Sequence, residues 1–492
     1  MAELTAGNNS VGIKPLQLIC IMAILQVVIA FFTDPMILSF DEAMWQYIGR
    51  NWIRNGLVPY QGGIDNKSPL IFLVFGISDR LFGVNYWFPR LIGILVQSAG
   101  IYGLYKIAEK MFSPFAGILT ISFYGLSLLW HSTGGKYVSY TETYAITAVI
   151  ISVYCCIVHQ ENKLAFVGGL FAGLGFAFRF SAAFGILPVF LFTLKRNSRS
   201  AFLFLLGTAT SILLLVLAGE LAGIKISEYL LYGLTDNIGA GSTTDHPLAW
   251  KTQMFASGFF YSELLLFYPA VVFYFLLNKK MDFLKAWLIC EFLGIVLVGI
   301  YDRVHFKNLL PALSLMSAFI VNYLVENNHT PVKQIMLGLW LLFFPKTFEP
   351  LFAAKKLFTA RNNQAATNNG HPTAFEEEGL KRKIGLWIRS NTLSNEKVFV
   401  AGYGAQILSY SERISPTVYF NVTQTAVAKK RLFSDLTDHK PAMVLIPLSE
   451  RYAGSVDPDI RLFMNKLVAG KYTLDTSMFN YNIFRFNKTS KP

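Results

Sequence analysis

Residues 15–43 read PLQLICIMAILQVVIAFFTDPMILSFDEA: an uncharged apolar run from Pro15 to Thr33, followed shortly by the adjacent acids Asp41 and Glu42. As a helix the run is long enough to cross roughly 30 Å of hydrocarbon. No small-residue cleavage site follows it, so it reads as a retained first span and not as a signal peptide. Two carboxylates at the mouth of a span can be partly buried, which raises proton affinity and suits a carboxyl to proton abstraction. A solvated helix N-terminus, where the helix dipole favours acids, produces the same short sequence, so the pair alone does not decide.

The rest of the chain belongs in a bilayer as well. Of its 492 residues 53% are hydrophobic and 15% charged, with 43 Phe and a mean hydropathy of +0.43, too apolar for an ordinary soluble enzyme. Further uncharged runs cover Pro114–Trp130, Thr143–Val158, Ala201–Gly219 and Asn308–Leu324. With shorter runs included, the pattern predicts about eleven transmembrane helices, centred near residues 24, 98, 122, 150, 171, 187, 210, 266, 292, 316 and 340. The net charge of +13 does not indicate nucleic acid, because many Lys and Arg residues sit in short loops between apolar runs. Placing the N-terminus in the cytoplasm makes the inner loops about twice as dense in Lys and Arg as the outer ones, the expected bias. An odd number of spans then puts the C-terminal region outside. Pro69–Gly83 is apolar but short, and it contains Asp79 and Arg80. It reads as an interfacial or re-entrant helix inside a large first outer loop, residues 34–87.

Composition changes after Pro345 and divides the chain into a transmembrane domain (1–350), a polar linker (351–374) and a C-terminal soluble α/β domain (375–492). Phe375–Asn391 is expected to be helical, with Glu377–Lys381 and Glu378–Arg382 pairs. Strands are expected at Val398–Ala401, Pro416–Phe420, Met443–Pro447 and Asn482–Phe486. The four cysteines all fall in apolar runs, which excludes a disulfide framework or a Cys-based zinc site outside the membrane. Gly402-Tyr403-Gly404 lacks the third glycine of a dinucleotide fingerprint and reads as a tight turn. Glu263 and Glu291 lie within spans; Glu291 is expected to pair with Lys285 or to make a polar helix contact.

From Asp41 outward a longer pattern unfolds: Asp41-Glu42-Ala43, Arg50, Gly56, Pro59-Tyr60, Lys67-Ser68-Pro69-Leu70, Leu81-Phe82-Gly83, then Arg90-Leu91. It resembles the signature of the GT-C membrane glycosyltransferases of the protein O-mannosyltransferase and lipid A aminoarabinose transferase type, over residues 34–112. Thr141-Glu142-Thr143, the glycine-rich Gly173–Arg179 and Arg303-Val304-His305 before Leu310-Pro311 are similar to later stretches of the same group. Ser68 stands where the first Pro of the group's Lys-Pro-Pro would be, Met44 where aminoarabinose-type relatives have Arg, and Asn66 where some relatives have a Glu.

The resemblance implies a GT-C fold, mainly α, and an inverting glycosyltransferase in the bacterial inner membrane. It would move a hexosyl or pentosyl group from a polyprenyl-phosphate or dolichyl-phosphate donor to a glycolipid, glycan or protein acceptor at the extracytoplasmic face. Such a reaction has a good leaving group already; it needs a base for the acceptor hydroxyl and cations for the departing phosphate. Asp41 is the expected base, with Glu42 and Glu142 as supporting acids. Lys67, Arg179, Arg303 and His305 are the expected phosphate contacts. A divalent metal ion, if one is used, would be held by Asp41, Glu42 and Glu142. Two other readings stay open: a transporter or flippase of lipid-linked saccharide, and a non-catalytic GT-C-like binding subunit. A transporter would place its polar residues near the bilayer midplane, and a binding subunit would release no lipid phosphate.

Overall fold

The computed structural model describes residues 14–33, 37–130, 132–159, 161–232, 248–260, 262–299, 301–327, 331, 334, 374–421, 426–448 and 458–487. The span expected near residue 340 and the linker expected from residue 351 lie outside them. The first fourteen helices described are α1 (Pro15–Val28), α2 (Phe40–Asn55), α3 (Pro69–Phe82), α4 (Trp87–Met111), α5 (Pro114–Ser127), α6 (Thr141–Val153), α7 (Asn162–Phe178), α8 (Ala183–Arg196), α9 (Ser198–Leu221), α10 (Ile226–Leu230), α11 (Leu248–Phe259), α12 (Tyr268–Leu277), α13 (Phe283–Val298) and α14 (Leu310–Glu326).

Five stretches of these are long and apolar enough to cross a membrane: Pro15–Phe32, Trp87–Met111, Thr141–Val158, Ser198–Leu221 and Arg303–Glu326. Helices α5, α7 and α12 are apolar but shorter. Without a hydrophobic force between helices in lipid, close packing depends on small residues. At the α7–α9 crossing a Cβ on Gly169 would lie 2.1 Å from the Phe204 carbonyl oxygen, so only glycine fits. The span expected near residue 266 is interrupted: Glu263–Leu266 is a 3-10 turn, capped by the Ser262 hydroxyl, and α12 starts afresh with Pro269 in its first turn. Glu291 does not pair with Lys285. Its Oε1 lies 3.4 Å from Trp287 Nε1, while Lys285 Nζ binds the carbonyls of Asn278 and Lys280.

The C-terminal part adds helices α15 (Ala374–Asn391), α16 (Ala405–Ser411), α17 (Ala426–Asp438) and α18 (Pro458–Val468) around strands β1 (Val398–Val400), β2 (Met443–Pro447), β3 (Tyr472–Met478) and β4 (Tyr481–Phe486). The sheet order is β1-β2-β4-β3, with β1 parallel to β2 and the other pairs antiparallel. Pro416–Phe420, expected as a strand, is irregular; the Val418 carbonyl accepts from the Ile64 amide of the first loop at 3.1 Å.

That contact is one of many, because the C-terminal part rests on α2. Arg50, buried, donates to the Ser409 and Leu408 carbonyls at 2.7 and 3.1 Å, satisfying the C-terminal end of α16 with a cation. The Ser409 hydroxyl donates to the Ala43 carbonyl at 2.8 Å, and the Tyr410 and Tyr47 hydroxyls accept from the Leu38 and Ser415 amides. Trp45, Tyr47 and Ile48 of α2 share one apolar core with Ile384, Val400, Leu408 and Leu445. On its other side α2 crosses α3 so closely that a Cβ on Gly49 would meet the Phe72 carbonyl oxygen at 2.3 Å. The helix carrying Asp41 and Glu42 is thus held from two sides.

Candidate active site

The first turn of α2 is a reciprocal cap. Ser39 Oγ accepts from the Glu42 amide at 3.4 Å, and Glu42 Oε2 accepts from the Ser39 amide at 2.9 Å. Arg90 of α4 then grips the same carboxylate in two places, Nε to Oε1 at 2.9 Å and Nη2 to Oε2 at 2.8 Å, and the Ser139 hydroxyl donates to Oε1 at 2.9 Å. Arg90 also donates to the Ala30 and Ile37 carbonyls, tying the end of the first span to the start of the loop. Burial alone would raise the Glu42 pKa, but the Arg90 charge and these hydrogen bonds together outweigh it and leave the pKa below the ordinary carboxylate value. Both oxygens of this fully buried group are committed to protein partners. Glu42 therefore fixes geometry, a role the sequence did not separate from direct participation.

Asp41, one residue earlier, has a different environment. Burial pushes its pKa from 3.8 up to about 6, against the opposing pull of the Lys67 charge and a hydrogen bond from Tyr140, while Asp65 and Glu142 add to the rise. Tyr140 lies 3.5 Å from Ser39 Oγ, and Asp65 Oδ2 accepts from Trp45 Nε1 at 2.9 Å, so the residues around Asp41 are themselves anchored. Lys67 is held by Asn66, whose Oδ1 lies 2.5 Å from Nζ, and by Tyr60, whose hydroxyl donates to the Lys67 carbonyl at 2.9 Å. Ser68 caps α3 and Pro69 opens it, which turns the chain sharply after Lys67. Immediately beyond, Ser68, Pro69, Phe180, Ile224 and Tyr229 line a mainly apolar cavity of about 360 Å³.

Glu142 opens α6, Arg179 ends α7, and His305 sits in the 3-10 turn Arg303–Leu309 before α14. The fold brings these three together. Arg179 Nη1 bonds Glu142 Oε1, His305 Nδ1 lies 3.1 Å from the same oxygen, and Arg179 Nη2 lies 2.8 Å from that ring nitrogen. One nitrogen cannot both donate to Glu142 and accept from Arg179, so the two contacts belong to different tautomers. Arg179 Nε also donates to Ser181 Oγ at 2.6 Å. Arg303 points elsewhere: its Nη2 donates to Ser257 Oγ of α11 at 2.7 Å. Lys307, buried, donates to Thr143 Oγ1 at 2.7 Å, one residue from Glu142.

Tyr140 and Arg90 had no assigned role from sequence, although Tyr140 directly precedes Thr141-Glu142-Thr143 and Arg90 closes the first-loop pattern. Lys307, like Arg303, defies the positive-inside bias in a seven-residue outer loop, which points from sequence to an anion site. The expected metal ligands do not gather. Among the described residues no three His, Cys, Asp or Glu side chains form a metal-binding group, and Glu42 and Glu142 are already matched to Arg90 and Arg179.

A sequence model of the family described as dolichyl-phosphate-mannose-protein mannosyltransferase matches residues 66–219. Comparison with curated protein sequences gives no match. Among solved structures, the chain is similar to ArnT from Cupriavidus metallidurans bound to undecaprenyl phosphate, with 12% identity and a TM-score of 0.63 over 96% of this chain and 98% of that one. It is also similar to the Archaeoglobus fulgidus oligosaccharyltransferase in complex with Zn and sulfate (14% identity, TM-score 0.52, 94% of this chain and 73% of that one). A third match is archaeal AglB from the same organism with an inhibitory peptide and a dolichol-phosphate (11% identity, TM-score 0.51, 97% and 74%). These likenesses bear out the expected architecture, a mainly helical membrane protein with a small C-terminal sheet.

Proposed function

Starting from a chain with the GT-C membrane fold, we propose that it is an inverting glycosyltransferase taking its sugar from a polyprenyl-phosphate donor at the extracytoplasmic face. The observation that carries this reading is Asp41: a half-buried carboxyl whose pKa is pushed up to about 6, within reach of the Lys67 charge, in the turn that opens α2. A base of that strength is largely ionised at neutral pH yet still binds a proton readily. The cavity is suited to the first isoprene units of a carrier lipid, and Lys67 beside it to the carrier phosphate. The matched ArnT and AglB structures contain undecaprenyl phosphate and a dolichol-phosphate, which supports the same class of donor here.

In the proposed step the acceptor hydroxyl oxygen attacks the anomeric carbon while Asp41 takes its proton. The bond from that carbon to the phosphate oxygen breaks, and its electron pair leaves with the lipid phosphate, whose growing charge Lys67 stabilises. Tyr140 orients Asp41 through its hydrogen bond, and Glu42 and Arg90 hold the turn that carries it. Arg179, paired with Glu142 and His305, is a second cation available to the phosphate. Arg303 is the candidate already engaged elsewhere, through its bond to Ser257. Among the described residues no three His, Cys, Asp or Glu side chains form a metal-binding group, and every step here is assigned to the chain's own residues.

The test is incubation of the purified protein with a panel of polyprenyl-phosphate sugars and candidate glycolipid, glycan and protein acceptors. Acceptor-dependent release of lipid phosphate is expected for one donor. Donor binding with no release under any combination would identify a binding subunit, and movement of the intact lipid-linked sugar across vesicles would identify a transporter.

A further inference from the structure

We propose that the cleft where the ends of α2 and α3 meet the face of α15 binds the phosphate headgroup of an anionic glycerophospholipid. The cleft holds about 410 Å³ and lies on the opposite end of α2 from Asp41. Arg382, Leu386 and Arg389 enter it at i, i+4 and i+7, hence from one side of α15, and Arg54 enters from the last turn of α2. Among the described lining residues three are arginines and one, Glu412, is an acid. Glu412 bonds Arg389 Nη1 at 2.6 Å and lies 3.6 Å from Arg54 Nη1, while Arg54 Nε is braced by Asp79 at 2.9 Å. The Arg382 guanidinium sits 5.8 Å from the Tyr410 ring centre. Arginine forks match phosphate oxygens two at a time, and this cleft presents three of them, with Asp79 on Arg54 and Glu412 on Arg389 leaving a net positive charge among these five side chains.

The surroundings point to a lipid and not to a free anion. Phe82 lines the cleft, is 49% exposed, and packs its ring 4.6 Å from Trp87, the residue that begins the span Trp87–Met111. Leu81 beside it is 61% exposed. An aromatic pair at the start of a span marks the membrane interface, so the cleft opens at headgroup depth with apolar side chains at hand for acyl chains. Basic clusters at that depth attract anionic headgroups. Occupancy would bridge α15 of the C-terminal part to the helices of the first loop.

The test uses the full chain in neutral detergent and measures binding of dioctanoyl phosphatidylglycerol, dioctanoyl phosphatidylcholine and inorganic phosphate, with no sugar donor present, so that the outcome does not depend on the proposed transfer. Phosphatidylglycerol should bind best. The double variant Arg382→Gln/Arg389→Gln should bind it at least about tenfold more weakly with an unchanged lipid-free unfolding midpoint. Glu412→Gln, which removes the internal competitor, should bind it more tightly, a gain that a merely structural cluster would not give. Equal phosphatidylglycerol affinity in wild type and the double variant would overturn the proposal. So would phosphatidylcholine binding as tightly, or inorganic phosphate competing at concentrations comparable to those of the lipid, which would mean a free-anion site.

Discussion

Asp41 and Glu42 are neighbours of the same chemical type, yet removal of the negative charge should act on them in opposite directions. Glu42→Gln leaves Arg90 buried without its counter-charge and breaks one arm of a bidentate pair, together with half of the cap on α2. Removing one partner of a buried ion pair costs about 3–5 kcal/mol. Asp41 is the reverse case. Its folded pKa near 6 against an ordinary 3.8 means that keeping it ionised in the fold opposes stability at neutral pH. The folded state binds more protons than the unfolded one between those values, so this group's contribution is present at low pH and is lost as pH rises through about 6. At roughly 1.4 kcal/mol per pH unit the opposition reaches at most about 3 kcal/mol at pH 7, and Asp41→Asn relieves it. The assay is the thermal unfolding midpoint of each purified variant in one detergent at pH 7 and again near pH 4.5. Glu42→Gln should melt several degrees below wild type at pH 7. Asp41→Asn should melt at or above wild type at pH 7, with the advantage shrinking at low pH. A wild-type midpoint for Glu42→Gln, or a large drop for Asp41→Asn, would refute the division between a holding acid and a reacting one.

The pH dependence of transfer should follow from the same pKa: the rate rises with pH through about 6 as Asp41 ionises, which a pH–rate profile at saturating donor would show. Lys67→Ala should lower transfer by about 10- to 10³-fold with little effect on folding, because its loss removes a charge-assisted phosphate contact. Arg303→Ala, measured beside it, should cost less, given its bond to Ser257; equal losses would bring Arg303 into the phosphate site. Reporter fusions should place Gly63 and Gly404 outside the cytoplasm and Asn197 inside, and Gly404 in the cytoplasm would contradict the proposed face.

What could be read from sequence was local. Ser39 to Ala43 and Lys67 to Pro69 carry their own capping residues and a proline, so the turns that expose Asp41 and Lys67 are written into a few adjacent positions. Uncharged apolar runs marked α1, α5, α6, α9 and α14 for the same reason. The grouping of Glu142 with Arg179 and His305 spans more than a hundred residues, and no local rule joins them; only the resemblance suggested a common site. The Arg90 grip on Glu42 was equally hidden, as were the many bonds between α2 and the C-terminal part, since long-range partners leave no periodicity. Strand β3 escaped notice because much of it is exposed and polar, as in Thr473, Asp475 and Ser477. Pro416–Phe420 misled in the opposite way: its β-rich composition serves packing, with Phe420 against Tyr47, and its backbone bonds the first loop in place of a sheet.

Single-turnover sugar transfer by Asp41→Asn, measured beside its affinity for the lipid donor, tests the proposed base most directly. The asparagine keeps the size of the side chain and can still meet Tyr140, but it cannot accept the acceptor's proton. The rate should fall by at least about 10²-fold while the donor binds as in wild type. A near wild-type rate in Asp41→Asn, with the donor bound, would contradict the account and move the base to another carboxylate, Glu142 first.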